Sequence, residues 1–290
     1  MSRTLRTLVA VAAAWAGLAS AQPCAAADAP ASHAALAPQI AEFVDQISVR
    51  ENGDGLARWK VKVCPQVAGL TRQEGEFILE RITAIGRAAG VPLAQEQCRP
   101  NLYVFVTAQP KELLRAMDKR NVLALGDAPQ MAIDEFITVD RPVRAWYNST
   151  ITDGVPIVGG EAANTSESLD VTVGMAPTYN SWDMPTHLLN TTVHTFSFVY
   201  VVVDLTRVRG IALGQLADYV AMVGLAEIKP APRLGDANSI LRLFAGGATG
   251  APAALSEWDQ SFLKALYATE PKAKEQRRLI AASMVHDIGR

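Results

Sequence analysis

The stretch that most constrains this chain runs from Val193 to Glu227. Its first part, Val193 to Asp204, is a β-branched and aromatic run, VHTFSFVYVVVD, long enough for an extended strand. By parity it divides into His194, Phe196, Phe198, Tyr200, Val202 and Asp204 against Val193, Thr195, Ser197, Val199, Val201 and Val203. Both rows are largely apolar, so the strand belongs at the centre of a sheet covered on both faces. A short basic turn leads into a helical run, Gly210 to Ile228, with three distinct sides. Gly214, Ala217, Ala221 and Gly224 form a stripe of small residues suited to close approach, and Leu213, Leu216, Val220 and Val223 form a large apolar face. The third side carries Gln215, Asp218, Tyr219 and Met222. It either lines a cleft and binds something polar, or meets solvent and satisfies loop backbone.

The preceding segments read as an α+β framework. Trp59 to Val63 alternates with lysines and reads as a half-exposed strand. Thr71 followed by Glu74 is a capping box, opening a helix through Phe77, Ile78, Ile82 and Ile85 that stops at Gly90. Asn101 to Thr107 is a buried strand, which completes a parallel β-α-β unit. Cys64 closes the first strand-like run and Cys98 precedes the second, so these two are expected to pair; a bridge closing roughly 35 residues contributes about 3 to 4 kcal/mol in the chain-entropy account. Further along come a helix from Pro110 to about Arg120, a strand around Val143, Ala145 and Tyr147, and a Gly/Ser/Asn/Thr-rich excursion from Thr152 to Met184 with a short strand at Val171 to Val173. The last third is helical. Asp236 is expected to cap one short helix, Ser256 with Asp259 to start a second, and Gln276 to Ile288 to form the third.

The amino terminus looks like an export signal. Arg3 and Arg6 precede an apolar run, Leu8 to Leu18, and the small residues after it offer cleavage at Ala19-Ser20-Ala21 or at Ala25-Ala26-Ala27. The run is too short to span a bilayer, and no lipobox precedes Cys24. In an oxidising compartment the Cys64–Cys98 bridge is stable and Cys24 is the leftover. Without residues 1–27 the 27 basic residues become 25 against 29 acidic ones, about −4. That balance argues against nucleic acid and against a polybasic membrane patch. The expected organisation is a signal peptide at 1–27, a lead-in and short helix at 28–55, an α+β core at 56–228 and a helical C-terminal subdomain at 229–290. The expected place is exported, periplasmic or extracellular, with no membrane span after cleavage.

No catalytic motif is intact. The chain has no G-x-S-x-G elbow, no P-loop and no dinucleotide fingerprint. The element order, however, resembles that of the zincin metallopeptidases, whose active-site helix reads H-E-x-x-H-x-x-G-L. Anchored on Gly224-Leu225, the chain lays Ala217-Asp218-Tyr219-Val220-Ala221-Met222-Val223-Gly224-Leu225 on that motif, and the likeness extends over 58–228. It implies a mixed twisted sheet with a central helix after a long buried strand. It also puts Ala217 and Ala221 at the two metal-ligand positions, where methyl groups cannot bind zinc. Asp218 stands at the general-base position, one methylene short, and Glu227 near the third-ligand position of the metzincin type. The four histidines, His33, His187, His194 and His286, do not rebuild a site. The expectation is therefore a non-catalytic exported protein of zincin-like fold, with no cofactor and no metal, that binds a protein or peptide partner of the cell envelope through Gln215, Asp218, Tyr219 and Glu227. The alternative is a hydrolase with an unrecognised site around Asp218, Tyr219 and Glu227.

Overall fold

The long strand is the axis of the fold. A computed structural model describes residues 33–49, 55–123, 129–153, 192–245, 250–270 and 275–289, with the elements α1 (His33–Ile47), β1 (Pro65–Ala68), α2 (Arg72–Ala89), β2 (Leu102–Thr107), α3 (Pro110–Asp118), α4 (Gln130–Thr138), β3 (Val143–Asp153), β4 (Thr192–Asp204), α5 (Leu213–Leu225), a 3₁₀ turn (Ile240–Phe244), α6 (Glu257–Ala268) and α7 (Gln276–Ile288). The expected leader, the 154–184 part of the excursion with its strand at Val171 to Val173, and His187 lie outside the described residues.

The sheet is mixed, in the order β1-β2-β4-β3. β1, β2 and β4 are parallel, and β3 runs antiparallel to β4. One face carries α1, α2, α5, α6 and α7 in a single apolar core that also includes Val199, Val201 and Val203 of β4. The other face carries a smaller cluster of α3 and α4 residues over Tyr200 and Val202. The fold is thus α+β, with the central strand covered on both sides. Among the described residues no helix is long and apolar enough to cross a membrane.

Several local expectations hold in detail. Thr71 and Glu74 form the reciprocal capping box of α2, and Gly90 ends that helix in the left-handed region at φ 79°. Ser256 and Asp259 do the same for α6. Cys64 and Cys98 are bridged, with Cα atoms 5.9 Å apart and a sequence separation of 34.

Others are corrected. Trp59 to Val63 is not a strand: Lys60, Val61 and Lys62 are all exposed, and the backbone here pairs only through isolated bridges, Arg58 to Thr195 and Val63 to Leu93. The strand that pairs with β2 starts two residues later at Pro65, a residue tolerated at the first position of an edge strand. The first helix begins at His33, within the expected lead-in, and accommodates Pro38. Phe77 points to solvent. α4 is an addition that no capping side chain announces. The short helix after Asp236 is a 3₁₀ turn capped by Ser239, whose hydroxyl accepts from Leu241 N. The parity of β4 also breaks. Asn148 pairs with Phe198 but Ser149 pairs with Phe196, so Ser197 is an extra residue in the ladder. Such a bulge swaps faces: Phe196 joins Trp59 and Tyr147 under α5, while Phe198 lies on the α3/α4 side.

Candidate functional site

α5 sits in the middle of the larger core, and its C-terminal end is fastened by side chains from three separate segments. The last carbonyls of a helix have no partner within it. Here Val223 O accepts from the Tyr147 hydroxyl of β3 at 2.9 Å, Gly224 O from the Trp59 indole at 2.9 Å, and Leu225 O from the Tyr267 hydroxyl of α6 at 2.6 Å. Two of these hydroxyls also accept backbone donors, Ile228 N on Tyr147 and Trp59 N on Tyr267. Burial raises both phenols well above their ordinary pKa, so they act as fixed hydrogen-bond partners. The small stripe has a matching cause at Gly224, where a Cβ would come 3.1 Å from a methyl of Leu102. Ala217 and Ala221 are fully buried.

Asp218 does not open onto a cleft. It is 1% exposed, and both carboxylate oxygens are taken. Arg81 of α2 grips it in a fork, Nε to Oδ1 and Nη2 to Oδ2 at 2.9 Å, and Leu255 N donates to Oδ2 at 2.6 Å. The carboxylate in turn raises the pKa of Arg81. The helix is tied by this one residue both to α2 and to the loop before α6. Gln215 donates its amide to Pro252 O at 2.9 Å, again a contact with that loop. Tyr219 meets Phe244 edge-on with ring centroids 4.8 Å apart, and burial pushes its hydroxyl up to about 12. Glu227 is half-buried just past the helix, where its charge helps to raise the Tyr147 phenol. Asp218 and Gln215 therefore meet on one loop, Tyr219 sits against the 3₁₀ turn, and Glu227 belongs to the Tyr147 corner.

Next to the Arg81–Asp218 pair lies a cavity of about 550 Å³ between α2, α6 and the end of α7. Ala84, Ala88 and Leu263 contribute apolar lining, and Arg81 and Lys264 contribute charge, Lys264 paired with Asp287 at 2.9 Å. The Ser261 hydroxyl on its wall is buried and has no hydrogen-bond partner among the described residues. Known families, curated proteins and solved structures were compared with this chain, and none matches.

Among the described residues no group of three or more His, Cys, Asp or Glu is placed to hold a metal ion. The cavity escaped the sequence reading because Arg81 comes from a helix assigned only a buried stripe. The one available hint was its position between Ile78 and Ile85, at the border of that stripe.

Proposed function

We propose that the chain is an exported, non-catalytic binding protein with a zincin-like core, and that its partner docks in the groove between α2, α6 and α7 rather than on α5. The observation that carries this reading is the state of Asp218: a carboxylate at the general-base position of the zincin motif already accepts from Arg81 twice and from Leu255 N, leaving no lone pair turned toward solvent. The adjoining groove has the opposite character, with apolar walls, charged rims and an unpartnered serine hydroxyl. A surface of this kind suits an amphipathic peptide helix, whose apolar side fits between two helices while its polar side meets Arg81, Gln260 and Lys264.

Panning a library of amphipathic peptides against the mature chain tests this. Enriched peptides should bind the Ala88→Trp variant, which fills the groove from an exposed position, at least tenfold more weakly without a change in melting temperature. Enrichment indifferent to that substitution rejects the groove. Turnover of peptide or ester substrates that vanishes in Asp218→Asn rejects the non-catalytic reading.

A further inference from the structure

The opposite face of the sheet holds a row of donors that the described residues leave unsatisfied. Arg144, Trp146 and Asn148 alternate along β3 and therefore share one side, the side that faces α3 and α4. Their ladder partners on β4 are Val202, Tyr200 and Phe198. Arg144 is 3% exposed and Asn148 6%. Arg144 Nε, Nη1 and Nη2, Trp146 Nε1 and Asn148 Nδ2 are all buried, and none has a hydrogen-bond partner among the described residues. Buried polar groups are nearly always paired, and a buried guanidinium without an anion is among the most costly exceptions.

The neighbouring acids do not supply that anion. Asp204 Oδ1 accepts from Thr206 N and Oγ1, and Oδ2 lies 3.4 Å from Arg207 Nε. Asp140 is held by Lys111 at 2.9 Å and approached by Arg207 at 3.6 Å. Around Arg144 the charged groups are therefore Lys111, Arg141 and Arg207 besides itself, four cations against the two carboxylates of Asp140 and Asp204. Burial depresses the Arg144 pKa, and the fields of Arg207 and Arg141 work in the same direction against those of Asp204 and Asp140.

From this geometry we infer that Arg144 is the anchor of a binding site for an oxyanion, a carboxylate or phosphate group, carried by a ligand that has further acceptors for Trp146 Nε1 and Asn148 Nδ2. A guanidinium presents a planar fork that two oxygens of such a group match. The next donors lie about 7 and 13 Å farther along the strand, at roughly 3.3 Å per residue, so the ligand extends beyond its anionic end and offers acceptors rather than donors.

Titration of the purified full chain with inorganic phosphate and with succinate, against sodium chloride at matched ionic strength, tests the site by calorimetry and melting temperature. At least one oxyanion is expected to bind saturably and to raise the melting temperature by several degrees beyond the chloride control. Phosphate alone indicates a phosphorylated ligand, succinate alone a carboxylic acid, and both together recognition of the shared oxyanion. Arg144→Met should abolish the heat and the shift while raising the melting temperature of the anion-free protein, because it removes an unpaired buried charge. Arg144→Lys keeps the charge but loses the fork, and should weaken binding at least tenfold in a chain that still folds. No oxyanion-specific shift in the natural chain, or an undiminished shift in both variants, overturns the site.

Discussion

The two faces of the sheet treat buried polar groups differently. Around α5 most are matched, Ser261 Oγ and Gln276 Nε2 being the exceptions among the described residues: Trp59, Tyr147 and Tyr267 close the helix carbonyls, Arg81 and Leu255 N fill Asp218, and Arg58 Nη1 reaches Leu266 O at the end of α6 and Thr269 O just past it, both 2.6 Å away. Over α3 and α4, within a smaller apolar cluster, Arg144, Trp146 and Asn148 leave five nitrogens unmatched among the described residues. The first arrangement is architecture, since every bond there fixes one element against another. The second is chemistry that a fold alone has no use for. Polarity by itself therefore does not single out a site in this molecule; a cluster of unpaired donors is the feature that calls for a ligand.

The largest test of that contrast is Asp218→Ala. It leaves the buried Leu255 N–H unpaired and strips Arg81 of its partner, while the half-exposed guanidinium recovers part of the loss by turning to water; the expected cost is about 3 kcal/mol in urea denaturation. An unchanged midpoint would mean that the pair is ornamental and that Asp218 is kept for something else. Tyr147→Phe should cost about 2 kcal/mol, since it unpairs Val223 O and removes the acceptor for Ile228 N. Gly224→Ala sets two terms against each other. Alanine gains up to about 1 kcal/mol of helix propensity, but its methyl meets the fully buried Leu102 at 3.1 Å, and overpacking of that kind costs about 1 to 3 kcal/mol. The packing term wins, for a net loss of about 1 kcal/mol, and a stabilised variant would show that Leu102 has room to yield.

What was legible in the sequence was whatever local chemistry decides. The capping boxes at Thr71–Glu74 and Ser256–Asp259, the stop at Gly90, the doubly apolar strand at Val193 to Asp204 and the Cys64–Cys98 bridge all rest on neighbours in sequence or on compartment, and they reappear in place. What failed depends on distant partners. Trp59 is buried because its indole caps α5, 165 positions away, and a strand pattern of alternating lysines carries no trace of that. The bulge at Ser197 reverses half of β4 because of pairing with β3, so parity counted along β4 alone puts Phe196 on the wrong face. The third side of α5 reads either as a cleft lining or as a partner for solvent and loop backbone, and only the fold shows that Arg81 and the loop before α6 claim it. The donor row on β3 was readable in principle. In the run Val-Arg-Ala-Trp-Tyr-Asn, the apolar set Val143, Ala145 and Tyr147 drew the assignment, and its alternates Arg144, Trp146 and Asn148 form the row that matters.

The smallest expected effect tests the contrast most directly, because it sits one residue from a large one. Tyr147 and Asn148 are consecutive in β3 and face opposite sides of the sheet. If burial alone set the cost of removing a polar group, both substitutions would destabilise. Tyr147 makes two hydrogen bonds that its loss would break, whereas the Asn148 Nδ2 makes none among the described residues and is desolvated without return. Asn148→Leu, close in volume and better suited to a strand beside Phe198, is therefore expected to stabilise the anion-free chain by about 0.5 to 1 kcal/mol while Tyr147→Phe weakens it. The two measured side by side in urea, without phosphate or carboxylate buffers, should differ in sign. A loss in both would place Asn148 among the architectural groups and remove the reason for treating the two faces differently.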